Sequence, residues 1–336
     1  MNSAIRAMRQ ISEREFRRDY LRVMPNRIRI VEPLEFCPAA VRILRTAGEV
    51  ELQECSRASL RDIFSAYDVV WMRLGHRIDE AVLGPNPRCR ILATPVTGLD
   101  HIDLAACEQR GIRVISLRGE FEFLRQVRGT AELTVGLAIA LMRHIVPAAV
   151  AVRQGQWNRD LFRGCELYGN TAGIIGMGRL GTLVAGYLRA FGMTVLGYDP
   201  RDDFPVEAAE RVASLEELLH RANMVILLVR YDDSTRHLIG ARQFAQMRPE
   251  TVLVNTSRGG VVDEEALLAA LDSGSLAGAA LDVLDGEPDI AAEHPVVAYA
   301  RFHDNLLVVP HIGGNTRESV EKTEVFLAHK VVEALG

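Results

Sequence analysis

The chain has 336 residues, a formal net charge of −5 and 48% hydrophobic residues. A chain of this length is longer than one hydrophobic core usually stabilises, so we expect two domains. The small negative net charge does not fit a nucleic-acid-binding protein, which would carry an excess of basic residues. No apolar run reaches the roughly 18 residues that a membrane-spanning helix needs.

The cysteines and the N-terminal residues bear on location. The chain has 5 cysteines, an odd number, and no pair of them has the CxxC spacing, so neither a disulfide framework nor a zinc site is favoured. Residues 1–26 are rich in arginine and lack the continuous apolar stretch of a signal peptide. We predict an amphipathic extension over residues 1–26 and a protein of the reducing cytoplasm.

Strand-like runs alternate with helical patterns in the first third of the chain. The predicted strands are Arg27–Val31, Val50–Gln53, Asp68–Met72, Arg90–Ala93 and Arg113–Ser116. The predicted helices between them are Pro38–Thr46, Ser59–Ala66 and Leu104–Gln109. This alternation predicts βαβ units and a parallel sheet.

A second alternating series begins after Gly169. Its predicted strands are Thr171–Ile175, Thr194–Tyr198, Met224–Val229, Thr251–Asn255, Gly278–Val283 and Leu306–Val309. The predicted helices include Arg179–Ala190 and Asp263–Leu271, with Asp263 as the N-cap. The two series together indicate an α/β protein with two Rossmann-like, doubly wound parallel-sheet domains.

The segment Ala131–Ile145 between the two series is apolar on nearly all sides. A helix of this kind must be buried all round, either in a domain core or at a subunit interface. We leave both interpretations open, and the second predicts a homodimer.

The glycines of Gly176-Met-Gly-Arg-Leu-Gly181 lie between a predicted strand and a predicted helix, which is the context of a dinucleotide site. Gly176 allows a tight turn, Gly178 allows a pyrophosphate to approach the backbone, and Gly181 allows the helix to pack on the sheet. Asp199 ends the next strand, where a carboxylate would bind the adenosine ribose and disfavour a 2′-phosphate. The sequence therefore favours NAD over NADP, although Arg201 is close enough to soften that preference.

Three side chains with catalytic chemistry each follow a predicted strand of the second series: Arg258, Glu287 and His311. A fixed cation, a carboxylate and an imidazole can hold a 2-oxo acid and move a proton onto its carbonyl oxygen. Each could instead be an ordinary loop residue. Because parallel sheets bind ligands outside the carboxyl ends of their strands, the shared position favours the catalytic interpretation.

Several segments, in order, resemble the D-isomer-specific 2-hydroxyacid dehydrogenase family, which includes D-3-phosphoglycerate dehydrogenases. The resemblance runs from about residue 68 to residue 325. The segments that carry it are Gly98–Asp103, Ala131–Glu132, Gly155–Trp157, Gly176–Gly181, Asn255–Asp263, Asp282–Pro288 and Pro310–Thr316.

The resemblance implies a role for each catalytic candidate. Arg258 would hold the substrate's carboxylate and carbonyl oxygen, and His311 would act as the proton donor and acceptor. Glu287 would bond the other imidazole nitrogen, orienting the ring and stabilising its protonated form. Backbone N–H groups around Thr97 and Gly98 would take the substrate carboxylate.

The resemblance also implies an NAD site and a domain plan. Asp282 would bind the nicotinamide carboxamide, and the other expected cofactor contacts are Arg179, Leu180, Pro200, Thr256, His311 and Gly313. The substrate domain would comprise residues 1–121 and 316–336, without a regulatory C-terminal domain, and the NAD-binding domain, residues 122–315, would be inserted in it. Closure would occur around Arg118–Thr130 and His311–Asn315.

Two observations on arginines bear on the substrate, the first of which departs from the family pattern. The segment Glu120–Gly129 is longer than the common form, and it places Arg125 and Arg128 near Arg118. Arg73 aligns with a family arginine that contacts the substrate's phosphate end. We hypothesise that Arg73, alone or with Arg118, Arg125 or Arg128, binds a second anionic group on the substrate. The alternative is a hinge in which the arginines form salt bridges with Glu120 and Glu122.

Three other functions share this scaffold. Formate dehydrogenases of the family pair the histidine with Gln, so Glu287 argues against that activity, whereas phosphite dehydrogenases keep all three residues. A protein of another class, an NAD-sensing corepressor, can also retain them. The sequence favours the 2-hydroxyacid dehydrogenase.

Overall fold

The computed structural model describes residues 25–336, so nearly all of the predicted extension over residues 1–26 lies outside it. The chain divides into two compact units. The first unit comprises the residues up to Pro95, Ile102–Ser116 and Glu324–Gly336. The second unit comprises Val96–His101 and Leu117–Thr323.

The first unit contains a parallel sheet of 5 strands in the order β2-β1-β3-β4-β5. Its strands are β1 (Asn26–Ile30), β2 (Gly48–Leu52), β3 (Val69–Trp71), β4 (Ile91–Ala93) and β5 (Arg113–Ile115). The helices between them are α1 (Pro38–Leu44), α2 (Arg57–Ala66), α3 (Glu80–Leu83) and α4 (Leu104–Gln109).

The second unit contains a parallel sheet of 7 strands in the order β12-β11-β10-β9-β6-β7-β8. Its strands are β6 (Thr171–Ile175), β7 (Thr194–Tyr198), β8 (Glu210–Arg211), β9 (Met224–Leu227), β10 (Val252–Asn255), β11 (Gly278–Leu281) and β12 (Leu306–Val308). Its first helices are α5 (Phe121–Leu124), α6 (Gly129–Met142), α7 (Ile145–Arg153) and α8 (Arg179–Ala190). The later helices are α9 (Leu215–Arg221), α10 (Ala241–Phe244), α11 (Glu264–Asp272), α12 (Pro295–Ala300) and α13 (Arg317–Leu335), the last of which runs into the first unit.

The central strands are apolar because helices cover both faces of each sheet. In β9, β10 and β11 every residue is buried. One apolar cluster includes Leu227, Leu253 and Leu281, and another includes Ile174 and Ile226, so the two clusters share the strands of one sheet. The α/β class with two Rossmann-like parallel sheets is confirmed.

The apolar segment predicted at Ala131–Ile145 forms most of α6, which ends at Met142. The left-handed backbone of His144, with φ of 49°, separates α6 from α7. Within the second unit α6 is largely buried, whereas α7 exposes several apolar side chains, namely Ile145, Val146, Val150 and Val152. The burial of α6 within its own unit fits the core interpretation, and exposed apolar side chains lie on the helix after it.

Among the described residues, no single helix is long and apolar enough to cross a membrane. The pair Phe121–Met142 and Ile145–Arg153, bent by 63°, meets the length and composition criteria together. A buried core helix such as α6 meets the same criteria.

Candidate active site

Three neighbouring strands of the second sheet, β12, β11 and β10, end at the same edge. Arg258 follows β10, Asp282 and Glu287 follow β11, and His311 follows β12. Since all three strands are parallel, the sheet places the catalytic candidates along one carboxyl edge.

The imidazole of His311 is paired with the carboxylate of Glu287. The Nδ1 atom lies 2.5 Å from Glu287 Oε2, and the two side chains are 24% and 27% exposed. The other carboxylate oxygen accepts the N–H of Leu284 at 2.8 Å, which fixes Glu287 within its own loop. This arrangement fixes the ring orientation and leaves Nε2 as the nitrogen that can serve a substrate.

The backbone of His311 adopts the left-handed region, with φ of 51°. Its N–H donates to the carbonyl of Asp282 at 2.8 Å, so the turn is tied to the end of β11. A non-glycine residue in this region costs roughly 1–2 kcal/mol. Such strain persists at functional sites when the surrounding contacts hold the residue in place.

Asp282 binds the loop that carries His311. Its Oδ1 accepts the N–H of Ile312 at 2.6 Å, and its Oδ2 accepts the N–H of Gly313 at 2.9 Å. The side chain is buried, and this burial raises the pKa of Asp282 to about 6. A Cβ at Gly313 would come within 2.7 Å of Asp282 Oδ2, so the glycine permits the close approach.

Arg258 is held by a carboxylate from the short Val96–His101 segment. Its Nε donates to Asp100 Oδ1 at 2.8 Å, and its Nη1 donates to the carbonyl of Ser257 at 2.8 Å. Burial acts to raise the pKa of Asp100, but the guanidinium of Arg258 outweighs it and holds that pKa below its usual value. A Cβ at Gly98 would overlap Arg258 Nη2, so the expected carboxylate-binding residue lies directly against the guanidinium.

The turn after β10 explains why a glycine directly follows Arg258. The amide of Asn255 donates to the carbonyl of Arg258 at 2.9 Å and closes the turn. A Cβ at Gly259 would overlap the backbone of Leu284 and Asp285. The Arg258 turn therefore packs directly on the loop that carries Glu287.

The glycine motif has the expected geometry between β6 and α8. Gly176 has φ of 95°, and a Cβ there would meet the carbonyl of Leu228 at 2.5 Å. A Cβ at Gly181 would overlap the carbonyl of Gly176, so the helix packs closely on the turn. At Gly178 the nearest atom to a Cβ is Arg201 Nη2 at 4.0 Å, which leaves open space at the start of the helix. An unobstructed glycine at a helix N-terminus fits the pyrophosphate of a dinucleotide.

Asp199, the expected ribose contact, directly follows β7, and its carboxylate already has partners. Arg201 donates through Nε and Nη2 at 3.0 Å to the two oxygens, and Met177 donates its backbone N–H to Oδ2 at 2.9 Å. Burial opposes the charged form, yet these donors hold the pKa of Asp199 below its usual value. The guanidinium of Arg201 thus partly offsets the negative charge of Asp199, the charge expected to repel the 2′-phosphate of NADP.

Arg179, an expected cofactor contact, has a second role. Its Nη1 donates to the carbonyls of Leu124 at 3.0 Å and Val127 at 2.7 Å. The first residue of α8 therefore holds the end of the segment that follows Glu120.

The remaining predicted residues are placed as follows. Thr97 and Pro200 are exposed, Leu180 is half-buried, and buried Thr256 pairs its hydroxyl with Thr134 at 2.7 Å. Arg73 lies in the first unit.

The sequence did not predict the contacts of Asp100 and Thr134. Asp100 lies within the Gly98–Asp103 segment that resembles the family, so it could have been considered. Nothing in the apolar pattern around Thr134 distinguishes that residue.

Comparison with known proteins gives a consistent set of relatives. Residues 135–313 match the family described as D-isomer specific 2-hydroxyacid dehydrogenase, NAD binding domain. The chain is 34% identical to a D-3-phosphoglycerate dehydrogenase of Methanocaldococcus jannaschii over 92% of its length, and this match spans 57% of that longer protein. It is 32% identical to a hydroxypyruvate reductase of Thermotoga maritima, with 92% of this chain and 98% of the relative covered.

Solved structures agree with the sequence relatives. The D-lactate dehydrogenase of Aquifex aeolicus, complexed with NAD and lactic acid, superposes with a TM-score of 0.79 at 28% identity. That match covers 92% of this chain and 95% of the other.

Proposed function

Because the chain belongs to the D-isomer specific 2-hydroxyacid dehydrogenase family, we propose that it interconverts a 2-oxo acid and a D-2-hydroxy acid with NAD. The observation that carries the proposal is the His311–Glu287 pair at 2.5 Å, on strand ends next to the one that carries Arg258. This set of groups can bind an anion and transfer one proton. Both are needed when a carbonyl is reduced to an alcohol.

His311 performs the proton transfer. In reduction, its Nε2 gives a proton to the carbonyl oxygen, which becomes the hydroxyl of the product; in oxidation, the same nitrogen takes that proton back. Glu287 stabilises the imidazolium form because its carboxylate accepts from Nδ1.

Arg258 binds the substrate's carboxylate and carbonyl oxygen, together with backbone N–H groups at Thr97 and Gly98. Asp100 is bonded to Nε, which leaves Nη2, beside Gly98, as the guanidinium nitrogen most suited to the substrate. A guanidinium and backbone N–H groups on the same carboxylate form charge-assisted hydrogen bonds that fix its orientation.

NAD, when bound, supplies the hydride acceptor or donor at its nicotinamide ring. The turn at Gly176, Gly178 and Gly181 would receive the pyrophosphate, and Asp199 would face the ribose. Asp282 would accept from the carboxamide, and the other contacts are Arg179, Leu180, Pro200, Thr256 and Gly313.

We extend the proposal to the organisation of the protein. Residues 1–121 and 316–336 would form the substrate domain, and residues 122–315 the NAD-binding domain. Two copies would form a homodimer through the Ala131–Ile145 region, and the apolar side chains that α7 exposes would extend that interface. A cytoplasmic location and a second anionic group on the substrate stay predictions from the sequence.

Replacing His311 tests the proposed chemistry. We expect His311→Gln to lower kcat by about 10²–10⁴-fold, the range for loss of a general acid. Steady-state NADH absorbance with hydroxypyruvate and glyoxylate measures this. His329→Gln is the matched control because His329 is exposed on α13. Near-normal turnover of His311→Gln would remove His311 from its role.

A panel of 2-oxo acids separates the proposed enzyme from an NAD-sensing protein. Turnover of at least one acid, with NADH consumed, supports the dehydrogenase. If the chain binds NADH and turns over none of pyruvate, glyoxylate, hydroxypyruvate and 3-phosphohydroxypyruvate, the sensor replaces it.

A further inference from the structure

Residues 284–287, the 284–287 loop, follow β11 and contact the turns of both neighbouring strands. The carboxylate at the end of the loop, that of Glu287, pairs with the imidazole of His311. A Cβ at Gly259, in the turn that carries Arg258, would overlap the backbone of the loop. A side chain that fixes this loop therefore fixes the partner of the proposed proton donor.

Glu264, the first residue of α11, binds the backbone of the 284–287 loop. Its Oε1 accepts the N–H of Asp285 at 2.8 Å. The N–H of the preceding residue, Leu284, donates to Glu287 Oε1 at 2.8 Å. Backbone donors outside helices and strands need other acceptors. Two successive N–H groups of the loop thus each have a carboxylate, one from within the loop and one from α11.

The side chain of Glu264 is available for this contact and is held in place. Asp263 already caps α11 by accepting the N–H of Ala266 at 3.1 Å. The second oxygen of Glu264, Oε2, lies 3.4 Å from Nε2 of His294, the residue before α12, and the two side chains are only 17% and 18% exposed. Burial raises the pKa of Glu264, whereas the N–H of Asp285 and the His294 imidazole favour its charged form.

We propose that Glu264 is a positioning residue for the reaction: it holds the 284–287 loop so that Glu287 meets the imidazole of His311. The contacts run from Glu264 to Asp285, along the loop to Glu287, and from there to Nδ1 of His311. All of these residues belong to the second unit. The inference rests on the proposed function and adds to it a residue that acts through Glu287 and has no need to touch the substrate.

Removing the acceptor on Glu264 tests the proposal. We expect Glu264→Ala to lower kcat with glyoxylate or hydroxypyruvate about 10-fold, the equivalent of one hydrogen bond of ordinary net strength. Glu264→Gln keeps an oxygen for the Asp285 N–H and should retain at least about half of the parent kcat. Glu265→Ala removes an exposed carboxylate from the same turn of α11 and is the control. Equal kcat values in Glu264→Ala and Glu265→Ala contradict the proposal.

A double-mutant cycle separates positioning from a general loss of structure. If Glu264 acts through Glu287, then Glu264→Ala should cause no further loss of kcat in a Glu287→Ala background, because the contact that it supports is already absent. A loss that adds fully to that of Glu287→Ala would show that Glu264 acts by another route and would overturn the proposal.

The pH profile of kcat/KM is an independent readout. Reduction needs the protonated imidazole of His311, and the carboxylate of Glu287 stabilises that form. Loosening their contact in Glu264→Ala should move the high-pH limb of the profile to lower pH, by about 0.5 pH unit or more. A lower folded fraction reduces the height of the profile and leaves the limb in place, so an unmoved limb counts against the proposal.

Histidine NMR decides the proposal without turnover. In protein with ¹⁵N-labelled histidine, the titration of the His311 ring, assigned with His311→Gln, should move to lower pH in Glu264→Ala and stay unchanged in Glu265→Ala. Glu264→Asp, which keeps the charge on a shorter side chain, should move it in the same direction if Glu264→Ala does not fold. If the parent reduces no acid, the proposed function fails, whereas an unmoved titration overturns the role of Glu264 alone.

Discussion

Single carboxylates connect the strand ends of the proposed site. Asp282 follows β11 and bonds the N–H groups of Ile312 and Gly313, which follow β12. Glu287 bonds His311 and its own loop. Asp100 holds Arg258. Each proposed catalytic group thus contacts an acidic partner, and each partner can be tested by removing its charge.

The pH dependence of stability tests the environment of Asp282. Burial raises its pKa from 3.8 to about 6. A carboxyl whose pKa is higher in the folded chain contributes stability below its unfolded pKa, and this contribution is lost as the pH rises through the folded pKa. We therefore expect Asp282→Asn to gain stability relative to the parent between pH 4 and pH 7.5, by at most about 3 kcal/mol. Denaturant unfolding at both pH values measures this, and a constant difference contradicts it.

The sequence predicts the positions of the candidate residues relative to the strands, but not those of their partners that are distant in the chain. Arg258, Glu287 and His311 were found because each follows a strand of the sheet. The Asp100–Arg258 pair joins residues 158 positions apart, and the pairing of Arg73 with Glu324 spans 251. Only the tertiary structure brings such pairs together.

At the scale of elements, the bounds of β6, β7 and α8 agree with the prediction, because glycines and apolar runs mark both ends. The strand β8 was missed because it has only 2 residues, Glu210 and Arg211, and no apolar pattern. The end of α6 was placed too late, since His144 gave no sequence signal of its left-handed backbone. Asp263 caps α11 as predicted, accepting the N–H of Ala266 at 3.1 Å.

Two glycines at the start of α8 should respond differently to alanine. Gly178→Ala meets no protein atom closer than 4.0 Å, so we expect little loss of stability but at least about 10-fold weaker NADH binding. Gly181→Ala overlaps the carbonyl of Gly176 and should cost about 1–3 kcal/mol of stability. NADH fluorescence titration and thermal unfolding measure the two effects. Equal loss of stability in both variants would contradict this separation.

At the scale of the whole molecule, the alternation of elements was enough to predict two parallel sheets, and the structure confirms them. The order of the strands within each sheet could not be read from the sequence. The order gives each sheet one reversal point, between β1 and β3 and between β6 and β9. The glycine motif lies at the second of these points.

If the protein is a homodimer that uses α7, charged substitutions on that helix should lower its mass in solution. Val146 and Val150, one helical turn apart on α7, are each 43% exposed. Replacing both by Asp should convert a dimer to a monomer while the second unit stays folded, because neither side chain is in the core. Sedimentation velocity measures this, with Val206→Asp, at a position that is 69% exposed elsewhere in the second unit, as the control. A parent chain that is monomeric at micromolar concentration contradicts the proposal.

The contact of Arg179 with the carbonyls of Leu124 and Val127 has a consequence for how this protein can vary. The anchor is a long side chain on a fixed helix, and its acceptors are backbone atoms that every residue type provides. Substitutions at Leu124 or Val127 can therefore leave the anchor in place, because the accepting carbonyls remain. A side chain too short to reach those carbonyls at position 179 would instead separate this segment from the glycine motif.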